Sequence, residues 1–238
     1  MLESSNLSKS FGKMKALDGI SVRMNAGQAI SLVGPNGSGK TTFLKCLLGL
    51  VIPDSGDVTL NGEHIIGHWN YRRQVGYMPQ IGRYPDNMRV GQVFDMVREI
   101  RRGTFSRTDE DLMQAFEVEK FAHKTMRSLS GGTRQKVSAC LAFLFAPDVL
   151  ILDEPTAGLD PLASEILKEK VLAEKKKGKL ILVTSHILSD LEELTTDVMY
   201  LIEGKLQFFQ SIEDLKIRTG EDKLNRALAQ VMKQNALA

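Results

Sequence analysis

Only two cysteines occur in 238 residues, Cys46 and Cys140, each set inside an apolar helical pattern with no second cysteine near it. That excludes a disulfide framework or a cysteine metal site, and predicts core thiols in a reducing compartment. Long apolar runs are also missing. The longest, residues 139–146, has eight residues, against about 20 for a helix that crosses a bilayer, so the chain is not expected to form a membrane channel. There is almost no net charge: 31 Lys and Arg stand against 29 Asp and Glu, leaving +2. No global field therefore marks nucleic acid or an anionic membrane as the main partner. The clusters Arg98/Arg101/Arg102 and Lys175-Lys176-Lys177 read as solvated helix faces or ends. Met1-Leu2-Glu3-Ser4-Ser5-Asn6 lacks a basic segment followed by an apolar one, so secretion is not expected, and no internal repeat or low-complexity linker is visible.

What is present is concentrated in Gly34-Pro35-Asn36-Gly37-Ser38-Gly39-Lys40-Thr41, which fits the pattern G-x-x-x-x-G-K-[ST] without a mismatch. Residues 28–33 before it read as a buried strand, and the run from Thr42 to Leu48 reads as a helix. A strand, a glycine turn and a helix N-terminus make an anion trap, because unpaired N–H groups and the helix dipole point into the loop. Lys40 is expected to reach the β- and γ-phosphates of a nucleoside triphosphate, and the Thr41 hydroxyl to ligate Mg²⁺.

Strands are expected at residues 2–7 and 20–24, around a turn at Lys9-Ser10-Phe11-Gly12-Lys13. Phe11 either folds back on its own core or offers its ring to a planar base, and the sequence leaves both open. A strand at residues 57–61, a hairpin signal at Asn61-Gly62 and a strand at residues 72–77 follow. His64 and His68 stand four apart, but Gly62 and Gly67 argue against a helix there, and no third ligand lies near. Gln80 is placed at a strand end, where α/β sheets present ligand-facing residues. Residues 81–130 turn helical and end in Ser128-Leu129-Ser130-Gly131-Gly132-Thr133. The helix that follows, about residues 134–146, makes this turn a second potential anion site.

Val149-Leu150-Ile151-Leu152 reads as a central parallel strand, and it ends in two carboxylates, Asp153 and Glu154. Asp153 is expected to hold Mg²⁺ through its water shell and Glu154 to activate a water molecule. Asp160 follows in a sharp loop and is expected to be free to leave the surface. After a helix over residues 162–177, His186 terminates a further buried strand, residues 180–184, and is expected to face ligand. Residues 198–202 and 205–209 read as an antiparallel hairpin, and the tail after Ser211 as charged and helical.

With Lys40, Gln80, Ser130-Gly131-Gly132, Asp153-Glu154, Asp160 and His186 in this order, the chain resembles the ATP-binding subunit of an ABC transporter along nearly its whole length. The resemblance implies an α/β fold with a P-loop NTPase core and mostly parallel sheet, an N-terminal antiparallel β subdomain and a helical insertion. The expected partition is residues 1–80 and 131–210 as core, 81–130 as insertion and 211–238 as helical tail. ATP and Mg²⁺ are the implied cofactors. Nucleotide contacts are implied for Phe11 (on adenine), Gly34, Pro35, Asn36, Gly37, Ser38, Gly39, Lys40, Thr41, Thr42, Gln80, Ser130, Gly131, Gly132 and Asp160. Catalysis is assigned to Glu154, His186 and Lys40, and the metal to Thr41, Gln80 and Asp153.

Two subunits of the family are thought to pack head to tail, with Ser130 and Gly132 of one closing over the ATP held by Lys40 of the other, which accounts for two anion sites in one chain. The implied partners are thus a second copy and an integral membrane permease on a separate chain, in subunits that are often exporters, with no nucleic acid. The implied location is cytoplasmic, on the inner face of the membrane. The stretch from Tyr77 to Pro85 looks like the ATPases of the copper-processing assembly that matures nitrous oxide reductase, and Ile81, Tyr84 and Met88 are candidates for an apolar docking groove or for core. Thr133 departs from the family, which has glutamine there. A soluble ATPase of this type acting on DNA or ribosomes calls for a coiled-coil insertion, two fused units or a basic face, none of which is visible. A P-loop kinase has no use for Ser130-Gly131-Gly132.

Overall fold

The computed structural model of the chain describes residues 1–103, 105 and 108–236. It begins with β1 (Leu2–Phe11), β2 (Met14–Met24), β3 (Ala29–Val33), α1 (Lys40–Leu47), β4 (Ser55–Leu60) and β5 (Glu63–His64). The middle holds β6 (Val75–Met78), α2 (Val90–Ile100), α3 (Asp111–Ala115), α4 (Gly131–Phe143), β7 (Val149–Asp153) and α5 (Pro161–Lys176). It closes with β8 (Leu180–Thr184), α6 (Leu188–Leu194), β9 (Asp197–Ile202), β10 (Lys205–Ser211), α7 (Ile212–Thr219) and α8 (Leu224–Ala236). Packing divides the chain into two units, Met1–Tyr71 with the chain from Leu180 onward, and Arg72–Lys179. The segments 72–80 and 131–179, grouped by sequence with the nucleotide-binding core, thus pack in the same unit as the helices of residues 81–130.

In the first unit an antiparallel sheet runs in the order β2-β1-β4-β5. Leu2 pairs with Met24 on one side and Leu60 on the other, and Leu7 pairs with Ile20. These five side chains are buried, which makes one apolar face. Between Ser4 and Leu7 the register shifts, Asn6 takes φ 49°, and a Cβ at Gly56 would lie 2.4 Å from the Asn6 carbonyl oxygen. That bulge keeps β4 close to β1. β3 is buried along its length and lies parallel to both β8 and β9, while β10 runs back along β9. Burial on both faces is why residues 29–33 are apolar or small without alternation. The helical tail forms two helices, and α8 buries Leu224, Ala227, Leu228 and Val231, a one-sided stripe.

In the second unit β6 and β7 are parallel, from Val75 opposite Val149 to Met78 opposite Leu152. A Cβ at Gly76 would meet the Ala142 carbonyl at 2.1 Å, so glycine lets α4 press onto β6. Among the described residues of 81–130 lie α2, α3 and two short 3-10 turns, with α2 burying Val90, Val93 and Phe94. The strand expected at residues 72–77 is a 3-10 turn, Asn70–Gln74, followed by β6. Arg101 donates to the carbonyls of Arg72 and Arg73 and lies over the Phe145 ring, so it is a packing element and not merely part of a solvated face.

Candidate nucleotide site

The phosphate loop is shaped from behind mainly by main-chain atoms, with the Leu17 side chain beside Gly39. A Cβ at Gly34 would stand 2.2 Å from the Leu201 carbonyl oxygen, and one at Gly39 would stand 2.4 Å from that of Ala16. Gly39 also has φ 99° and is the N-cap of α1, a conformation that favours glycine. The Gly204 N–H donates to the Ser38 carbonyl at 3.1 Å, which ties the loop to the β9–β10 turn. Inside this cradle Lys40 folds back, its ammonium donating to the carbonyls of Gly34 at 2.7 Å and Pro35 at 3.0 Å. The Ser38 hydroxyl is buried without a hydrogen-bond partner among the described residues. A buried polar atom left over in a glycine loop that opens a helix fits a phosphate ligand.

Thr41 and Thr42 lie in the first turn of α1, with Thr41 exposed. His186 follows β8, whose C-terminal end lies beside that of β3, so the histidine and the phosphate loop leave neighbouring parallel strands at the same edge. Phe11 ends β1 opposite Met14 and is 47% exposed, with the Lys9 ammonium 5.6 Å from its ring centre. It is therefore a half-exposed ring outside the core, with the Lys9 ammonium over one face. His64 pairs with Asp57 through Nδ1.

The second unit holds the other candidates. Gln80 and Asp153 follow and end the adjacent parallel strands β6 and β7, so both sit at one sheet edge. Burial, together with the Asp153 charge, pushes the Tyr77 hydroxyl up to about 12. Glu154 is buried and holds φ 53°, a left-handed conformation unusual for a residue with a side chain.

Ser130 caps α4, its hydroxyl accepting from the Thr133 N–H at 3.2 Å. A Cβ at Gly132 would lie 2.7 Å from the Gly158 carbonyl, so the serine-glycine turn rests on the loop that leads to Asp160. Asp160 is not free, as the sequence reading had it. One carboxylate oxygen caps α5 through the Ala163 N–H at 2.9 Å, and the other takes the Lys136 ammonium at 2.8 Å. The hydrogen bond from Lys136, with that from Ala163, holds its carboxyl below the usual range. Lys136, which sequence reasoning missed, thereby joins the helix opened by Ser130 to the loop of Asp160. A cavity of about 430 Å³ lies alongside, where Ser130, Thr133, Lys124 and Lys136 meet the rings of Phe116 and Phe121.

Of the docking candidates, Ile81 is exposed, but Tyr84 turns into its own unit and donates to the Ser138 hydroxyl at 2.9 Å. Both cysteines are buried free thiols, and burial raises Cys46 to about 11 and Cys140 further still. Among the described residues no helix is long and apolar enough to cross a membrane.

A P-loop opening a helix beside parallel strands, with an antiparallel sheet ahead of it and a helical segment ending in a serine-glycine turn, defines an ATP-binding cassette. The model of the family described as ABC transporter matches residues 17–157, and the chain belongs to that family as an ATP-binding subunit. It is 34% identical over 209 residues to the Nod factor export ATP-binding protein I of Ralstonia nicotianae, the match covering 86% of this chain and 65% of that protein. The chain thus spans about two thirds of that relative's length. Among solved structures it is similar to an ATP-binding subunit of an ABC transporter, with TM-score 0.88, 27% identity, and 98% and 99% of the two chains covered. A dimeric cassette in a post-hydrolysis state bound to ADP and Pi shares the fold, with TM-score 0.78, 23% identity, and 89% and 99% covered.

Proposed function

We propose that this chain binds and hydrolyses ATP to drive a separate membrane permease, working as a head-to-tail pair of identical subunits. The observation that carries the reading is the phosphate cradle, in which Lys40 is held by two loop carbonyls beside the buried, unpartnered Ser38 hydroxyl. A triphosphate entering the loop draws Lys40 off those carbonyls onto its β- and γ-oxygens and receives the N–H groups at the start of α1. Thr41, Asp153 and Gln80 are the residues that would hold Mg²⁺, which when bound neutralises charge on the phosphate oxygens. Glu154 takes a proton from the attacking water, and His186 donates to the γ-phosphate.

Hydrolysis of this kind passes through a loose transition state, so catalysis is mostly positioning and charge stabilisation. The N-terminus of α4, with Ser130, supplies these from the second subunit, and the dimeric state of a post-hydrolysis cassette of the same fold supports association of two copies. Closure on ATP and release after hydrolysis form a two-state element able to move a permease. The Ralstonia relative's name supports export as the direction. The likeness to copper-processing ATPases is confined to the loop from Tyr77 to Pro85, and the cargo is set by the permease.

Glu154→Gln is expected to keep ATP affinity and to hydrolyse about 10²–10⁴-fold more slowly, the usual worth of a general base. Full turnover in that variant removes Glu154 from the role. Co-purification of a membrane protein with the tagged chain tests the permease.

A further inference from the structure

We propose that Thr133 is a positioning residue, whose hydroxyl orients the Ser130 hydroxyl for donation to the phosphate of the facing subunit's ATP. The inference rests on the head-to-tail reading above and extends it to a residue at which this chain departs from the family. Thr133 Oγ1 lies 2.9 Å from Ser130 Oγ, and the same Ser130 oxygen accepts the Thr133 backbone N–H at 3.2 Å. A hydroxyl has two lone pairs and one proton. When Thr133 donates through both its N–H and its O–H, both lone pairs of Ser130 Oγ are filled, and the one remaining function of that hydroxyl is to donate outward.

An anion arriving at the turn selects this order of hydrogens, because it can only accept. Each bond in the chain Thr133–Ser130–phosphate then polarises the next. A glutamine at this third helical position would instead reach back to the N-cap backbone N–H, as in a capping box. Threonine is too short for that and meets the serine side chain instead. Both groups stand on the wall of the same cavity, and Ser130 is exposed, so the outward direction is open to a ligand. Thr133 itself is not assigned a contact with ATP and acts through Ser130 alone.

The test is steady-state ATP turnover of the full chain against ATP concentration, for wild type, Ser130→Ala, Thr133→Val, Thr133→Ser and the Ser130→Ala/Thr133→Val double variant. Thr133→Val keeps the shape and loses the hydroxyl; Thr133→Ala carries the same test should the valine variant be unstable. Expected are a kcat about tenfold lower in Thr133→Val, less than the loss seen for deleting a direct donor, and a KM for ATP within about twofold, since the facing Lys40 loop holds the nucleotide. Thr133→Ser restores kcat. The double variant is no slower than Ser130→Ala, because the two losses are one interaction.

Wild-type turnover in Thr133→Val, failure of Thr133→Ser to restore it, or independent multiplication of the two losses in the double variant would each overturn the inference. If Ser130→Ala is slow while Thr133→Val is not, this inference alone falls. If Ser130→Ala turns over normally, the head-to-tail reading falls and takes this inference with it.

Discussion

Glu154 carries a side chain in a left-handed backbone conformation immediately after Asp153 ends a buried strand. Such a conformation costs a residue other than glycine roughly 1 kcal/mol or more and persists where surrounding structure fixes it, often at functional sites. The sequence had marked this position by its two carboxylates at the end of an apolar strand, and the backbone adds an independent sign. Gly39 is the opposite case, a residue whose importance lies in the side chain it lacks. Gly39→Ala places a Cβ 2.4 Å from the Ala16 carbonyl at φ 99°. We expect a loss of about 2 kcal/mol or more, read as a lower urea midpoint, together with loss of ATP binding by equilibrium dialysis. An unchanged midpoint and affinity would show that the β2 segment yields, and that the cradle is not rigid.

At the scale of elements, α5 is stapled to the segment around α3 by an ion cluster whose centre, Lys170 and Glu174, is buried and whose rim, Asp111 and Lys177, is exposed. Lys170 donates to Asp109 at 2.6 Å and Asp111 at 2.7 Å, and lies 3.3 Å from Glu174, which also takes Lys177 and Lys179. Burial alone would raise the Glu174 carboxyl, but the hydrogen bonds from Lys177 and Lys179, with the Lys170 charge, outweigh it and hold the group at about 2. Its folded value is depressed, so its stabilisation is complete above about 4.5 and is lost as pH falls toward 2. The urea midpoint of the wild type should drop across that window. In Glu174→Gln the drop should be smaller, from a lower starting midpoint, and an identical pH profile would exclude Glu174 as its source.

Elements with strong local signals were legible in the chain, among them β8, read as residues 180–184 and observed as Leu180–Thr184. β1 was read too short because its serines and asparagine hide a strand held by neighbours on both sides. Residues 72–74, the end of the 3-10 turn Asn70–Gln74, were read as the start of the strand because what holds the turn is distant: Tyr71 donates to the Leu47 carbonyl, and Arg101 grips the carbonyls of Arg72 and Arg73. The candidate site divides in the same way. Residues expected to touch ligand stand in motifs, whereas Lys136, Gly158, Ala16 and Gly204 support them from positions set only by long-range packing.

For the whole molecule, the proposed head-to-tail pairing has an arithmetic consequence. In that proposed pair, a chain with Lys40→Ala would lack one half of each site, and a chain with Ser130→Ala the other. Mixed in equal amounts, half of the pairs are hybrids, and each hybrid joins an intact phosphate loop to an intact serine-glycine turn at one of its two composite sites, so ATPase activity should recover to about a quarter of wild type. Neither variant alone should show it. No recovery on mixing, with both variants folded, would mean that each chain completes its own site. The phosphate cradle has a consequence of another kind. Its walls at Ala16, Leu201 and Gly204 touch the loop through peptide groups, with the Leu17 side chain a further neighbour beside Gly39, so the mould for the nucleotide is written mainly in chain path. Drift in the β2 and β9 side chains other than Leu17 can therefore proceed without deforming the loop.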